Sequence, residues 1–123
     1  MSFEDKDTNA IMLDSKYCKC LLPMREEDFS KSDCGNILII AGLSGMVGAA
    51  YMASFSTLRS GVGLVRVLTT DLGTIPMQCL LPEAICVSED EAFSHLASFD
   101  AVAIGPGMGV SDKTASLIRR VCE

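Results

Sequence analysis

Long apolar runs are missing from this chain. No stretch approaches the roughly 18 residues that a membrane helix requires, so no bilayer span is expected. Positive charge is scarce: 10 Lys and Arg stand against 16 Asp and Glu, a formal net charge of −6. Nucleic acid and anionic membrane both demand a basic surface, so neither is expected as a partner. Backbone N–H groups still take an anion on an acidic protein, which leaves a nucleotide open. Histidine is limited to His95, with no second ligand or nucleophile arranged around it in sequence; it reads as a surface or partly packed residue. The opening MSFEDKDTNA lacks the apolar core of a signal peptide, so the expected location is cytoplasmic.

Cysteine is present but lacks a metal-binding spacing. The 6 cysteines stand at 18, 20, 34, 79, 86 and 122. Without a secretory signal they read as reduced thiols, and no metal site is expected. Cys79, Cys86 and Cys122 sit among apolar neighbours and are expected in the core.

What is there is a globular composition, with 49% hydrophobic and 21% charged residues over 123 positions. Residues 1–20 read as a flexible lead-in, and the stretch YCKCLLPMREEDFSKSDCG as an irregular arm. NILIIAG is a continuous apolar run bounded by Asn36 and Gly42, as expected of a parallel strand covered on both faces. A helical stripe follows with Val47, Ala50, Tyr51, Ser54 and Leu58, where Ser54 is expected to bond back to a helix carbonyl. GLVRVLTT is the next strand. Pro76 and Pro82 predict a short helix between them, followed by a strand at AICV. SEDEAFSHLASF begins as a capping box, with Ser88 and Glu91, and carries Ala92, Leu96 and Phe99 on one stripe. DAVAIG is a further strand, and Ser111 is placed to cap a last helix ending near Arg119 and Arg120. Alternating strands and helices predict a layered α/β domain with a mainly parallel sheet. About four strands are fewer than open α/β sheets usually carry, so residues 21–123 read as the truncated N-terminal portion of one domain.

Two glycine clusters follow apolar strands and precede helices, which is where an open parallel sheet binds ligands. GLSGMVG places glycines at 42, 45 and 48, and GPGMG at 105, 107 and 109. The first has neither the G-x-G-x-x-G spacing nor a Gly-Lys-Ser/Thr ending. Each cluster is therefore either a tight turn or a ligand cradle, with Ser44 a cap or a contact. Lys31 and Asp33 read as solvated loop residues or as a small polar site. Arg25 and Arg59 suit phosphate, although Arg59 also suits helix carbonyls.

Read together, LLPMR at 21–25, the Lys31, Asp33, Gly35 series, NILIIAG, GMVGAAYMASFSTLRSGVGLVRV, LPEA and AIGPGMG resemble the ADP/ATP-dependent NAD(P)H-hydrate dehydratase family of the ribokinase-like superfamily. The resemblance covers roughly residues 21–122. It implies a three-layer α/β/α fold with a large central sheet, assembled as a homo-oligomer or completed by a missing C-terminal half. It implies repair of hydrated NADH or NADPH with ADP or ATP and Mg2+. It places Gly45, Gly48, Ala49, Gly107 and Gly109 against the dinucleotide, and Ser44, Lys31 and Arg25 as phosphate contacts. Ser30, Ser32 and Leu43 depart from the residues usual in the family. The adenine-nucleotide loops and the glycine-rich motif carrying the catalytic aspartate fall beyond Gly109 in that family, and no catalytic residue is assigned here. A related small-molecule kinase and a non-catalytic dinucleotide-binding half-domain are the competing readings.

Overall fold

The computed structural model describes residues 13–21, 28–43 and 45–123. Nine elements run in the order α1 (Ser15–Leu21), β1 (Asn36–Ile40), α2 (Val47–Arg59), β2 (Leu64–Leu68), α3 (Asp71–Leu80), β3 (Ile85–Cys86), α4 (Glu89–Ser94), β4 (Ala101–Ile104) and α5 (Asp112–Cys122), with short 3-10 turns at Ser32–Cys34 and Leu96–Ser98. The strands form one sheet in the order β3-β2-β1-β4. Every pairing is parallel; Ile37 stands opposite Val65 on one side and Ala101 on the other.

Alternation along β1 divides the core in two. Ile39 joins Val65, Val67, Ala50 and Met77 on the face covered by α2 and α3. Leu38 and Ile40 join Leu68, Ala92, Met108 and Leu117 on the face covered by α4 and α5. Both faces of β1 are thus buried, as its unbroken apolar run predicts. Burying each such side chain stabilises the fold by about 1.5–3 kcal/mol. The helix stripe is found as expected: Ala50 is fully buried, and Val47, Tyr51 and Leu58 pack against the same cluster.

Several expectations are corrected. Ser54 is fully buried, but its hydroxyl has no hydrogen-bond partner. Its neighbours Ser56 and Thr57 do bond back, to Met52 O and Ala53 O at 2.8 Å each. The helix at the prolines begins before Pro76 rather than after it, running Asp71–Leu80 with Pro76 inside. Pro76 removes the N–H that Leu72 O would accept, and Leu72 lies on the exposed side at 84%. Cys79 and Cys122 are exposed, and Cys86 is half-buried. Where a flexible lead-in and the start of an irregular arm are expected, Ser15–Leu21 is helical. Asp14 caps it by accepting from Tyr17 N at 2.7 Å, and the helix ends two positions before Pro23. It buries no residue. The expected stripe of Ala92, Leu96 and Phe99 is broken at His95 into a helix and a 3-10 turn, yet all three still pack on one face.

Connection order creates one special place. From β1 the chain steps outward to β2 and β3 with α2 and α3 on one face. It then returns across the sheet to β4, with α4 on the other face. The direction of winding reverses between β1 and β4, and at such a reversal the carboxyl ends of the strands leave a crevice.

Candidate functional site

Both glycine clusters emerge at that reversal. Their strands are neighbours, and the loops are joined by backbone bonds: Gly42 N donates to Pro106 O and Leu43 N to Gly107 O, both at 2.9 Å. Gly105 N donates to Ile40 O at 3.1 Å. Gly107 adopts φ +66, and a Cβ there would lie 2.7 Å from the Ala49 Cβ. Close packing of the second loop onto the start of α2 is why this position is glycine. Ala49 and Gly107, separate in sequence, are therefore brought together.

Gly45, Gly48 and Gly109 differ from Gly107. A Cβ built at any of them meets nothing within 4 Å. Gly45 and Gly109 have φ of +80 and +63, so a turn accounts for them. Gly48 has no positive φ and lies exposed in the first turn of α2. Neither backbone conformation nor packing demands glycine there. Met46 occupies the N-cap position and gives no side-chain cap. Among the described residues no side chain caps the start of α2, where Ala49 N donates to Met46 O at 3.0 Å, and its partial positive charge lies beside open space, which suits an oxyanion.

A cleft of about 410 Å³ continues from these loops along the carboxyl ends of β1, β2 and β3. Leu43 and Met108 connect it to the glycine loops, and Thr69, Thr70, Asp71, Ser88, Glu89 and Lys113 supply its polar lining. The Thr70 hydroxyl is buried with no partner. Glu89 forms an ion pair with Arg120, whose guanidinium lies 3.7 Å over the Phe93 ring. Cys86 also lines the cleft, and desolvation by burial pushes its thiol pKa up. None of these polar residues reads from sequence as a site residue, and Ser88 reads only as a helix cap. A usable signal existed: Thr-Thr-Asp directly follows an apolar strand, at the end of the sheet that binds ligands.

Other candidates lie elsewhere. Lys31 is exposed beside Gly63, where a Cβ would fall 1.6 Å from Lys31 O. Gly63 precedes β2, so Lys31 sits at the amino edge of the sheet and is not brought to the glycine loops. Asp33 accepts from the Ser30 hydroxyl at 2.5 Å and from Ser30 N at 2.9 Å. Those bonds hold its pKa below the ordinary carboxylate value. Ser30 also bonds Ser32, so these two departures belong to one turn. Leu43, the third, packs against the core on the α4 and α5 side. Arg59 lies exposed in the last turn of α2, at the opposite end from the glycine loops. Arg25 and Ser44 lie outside the described residues. Among the described residues no three His, Cys, Asp or Glu side chains converge to hold a metal. No step is assigned to Mg2+ on this chain.

Comparison with known proteins agrees with the fold. A ribokinase-like superfamily protein from Enterococcus faecalis V583 superposes with a TM-score of 0.75 at 28% identity, over 81% of this chain and 36% of that one. An ADP/ATP-dependent NAD(P)H-hydrate dehydratase from Bacillus subtilis, co-crystallized with ATP/Mg2+, gives 0.74 at 27% identity, over 86% of this chain and 40% of that one. The fold is thus a ribokinase-like α/β sheet. Residues 37–123 match the NAD(P)H-hydrate dehydratase family, and the chain belongs to that family. An ADP-dependent (S)-NAD(P)H-hydrate dehydratase from Listeria monocytogenes is 31% identical over 105 residues, 83% of this chain. A bifunctional NAD(P)H-hydrate repair enzyme from Coxiella burnetii is 36% identical over 119 residues, 94% of this chain. The chain spans 38% of the first enzyme and 24% of the second.

Proposed function

We propose that this chain forms the dinucleotide-binding part of an ADP/ATP-dependent NAD(P)H-hydrate dehydratase. The observation that carries the reading is the open start of α2 at the winding reversal, where Gly48 is glycine without a conformational or packing need. First-turn N–H groups of α2 would hold the pyrophosphate of hydrated NADH or NADPH. Gly45, Ala49, Gly107 and Gly109 would admit the dinucleotide close to the backbone, with Ser44 and Arg25 as further phosphate contacts; Lys31, at the opposite edge of the sheet, is not among them. When bound, ATP or ADP supplies the phosphoryl group that turns the ring hydroxyl into a leaving group. This chain's own part is to bind and orient. A cytoplasmic setting belongs to the same proposal. So does assembly, with further copies or a following segment, over the exposed Ala101 and Ala103 of β4.

Binding of hydrated NADH to the 123-residue chain, followed by ligand-observed NMR, tests the reading. Gly48→Glu places a carboxylate where the pyrophosphate would sit and is expected to weaken binding at least about tenfold. Its helix is expected to be as stable as before or slightly more so, because a first-turn carboxylate suits the dipole. Equal affinity in the variant and the parent chain would sink the assignment of this site.

A further inference from the structure

We infer that Thr69, the residue directly after β2, is a positioning residue for the dinucleotide loop. It acts through a single peptide plane. The functional half of this inference rests on the binding role proposed above.

The peptide joining Gly42 to Leu43 is held at both ends. Its carbonyl accepts from Thr69 Oγ1 at 2.7 Å. Its N–H donates to Gly107 O at 2.9 Å. The two partners follow β2 and β4, the strands that flank β1. One plane therefore fastens three strand ends where the winding reverses. Gly42 meets the required geometry at φ +71, and a Cβ there would lie 2.8 Å from the Ala50 Cβ. The space for Thr69 is itself kept clear. A Cβ on Gly73 would lie 2.8 Å from Thr69 Oγ1 and 3.1 Å from Thr69 Cγ2. Gly73 lies in α3, so a helix on one face of the sheet reserves room for the hydroxyl that orients the loop.

Removing the donor leaves a carbonyl without its partner and frees the plane to turn. Turning carries Leu43 N–H away from Gly107 O. Gly107 packs on Ala49, so both expected dinucleotide contacts depend on a residue that touches neither.

Amide hydrogen exchange on the 123-residue chain reads the plane directly. Thr69→Val is expected to speed exchange at Leu43 and Met46 about tenfold, and Thr69→Ser to stay within about twofold of the parent. Gly73→Ala, whose methyl would crowd the Thr69 hydroxyl, is expected to give the same loop signature by a second route. Thr57→Val removes a comparable hydroxyl-to-carbonyl bond, Thr57 Oγ1 to Ala53 O, in the last turn of α2. It is expected to leave the loop amides unchanged, which separates positioning from general loss of stability. Affinity for hydrated NADH is expected to fall about three- to tenfold in Thr69→Val, with Thr69→Ser restoring it. Unchanged loop exchange in Thr69→Val, or equal acceleration in Thr57→Val, overturns the inference. Faster exchange with unchanged affinity overturns the functional half. If the parent chain does not bind hydrated NADH, the binding proposal falls, while the exchange data still decide the role of Thr69 in the loop.

Discussion

The two glycine loops look alike in sequence and end differently. Both follow a strand at the same sheet edge and both lead into a helix. The loop after β4 closes its own helix. Ser111 Oγ accepts from Thr114 N at 3.1 Å, and Thr114 Oγ1 donates to Met108 O at 3.1 Å. The loop after β1 reaches α2 with Met46 at the N-cap, which gives no such bond. Among the described residues, one helix start is thus capped by a side chain and the other is not. Glycine enrichment alone does not separate these cases; the residue at the N-cap does.

The strongest way to break the contrast is to disturb the contact between the loops. Gly107→Ala combines a left-handed backbone with a methyl 2.7 Å from the Ala49 Cβ. Denaturant unfolding is expected to show a loss of about 3 kcal/mol. Gly109→Ala, with open space around it, is expected to lose only about 1 kcal/mol. Equal losses would mean that the packing of Gly107 on Ala49 is unimportant.

Opening the closed helix is the next step down. Ser111→Ala removes the cap of α5 and is expected to lower stability by about 1 kcal/mol in the same measurement. A change near zero would place the two helix starts on an equal footing and erase the contrast.

The smallest effect concerns pH, at the opposite edge of the sheet. The Ser30 hydroxyl, and next the Ser30 N–H, hold the Asp33 pKa below its ordinary value. The folded carboxyl is the stronger acid, so its contribution to the turn is present above the ordinary carboxylate value. That contribution is lost as pH falls through the depressed folded value. The Ser30 amide resonance is expected to hold steady above about pH 5 and to move only in more acidic solution. Asp33→Asn should abolish the movement. A Ser30 titration at the ordinary carboxylate midpoint would show that the turn does not bind the carboxylate.

Much of the architecture was readable because periodicity and caps act locally. The apolar run at 36–42 declared a strand covered twice, and Ser88 and Ser111 announced their helices through bonds to residues three positions on. The candidate loops were visible for the same reason. What could not be read depended on contacts distant in sequence. Pro76 is tolerated inside α3 because packing of Met77 and Gly73 outweighs one missing bond. Ser54 gave no local sign that the sheet would bury its hydroxyl without a partner. Apolar neighbours suggested that Cys79 and Cys122 were core residues, yet both fell on outer helix faces. The role of Thr69 stayed hidden because it depends on Gly42 and Gly73 together, which only the fold brings to it.

The order of the strands also sets a timetable. Ile37 must wait for Ala101 before β1 gains its second neighbour. At roughly 5–20 residues per second, a ribosome needs on the order of 3–13 s to deliver that partner. Throughout that interval the most apolar strand of the protein has one bare edge, able to pair with any other nascent chain nearby. The middle of this sheet is thus begun first and paired late, so slower translation lengthens the time its edge lies bare.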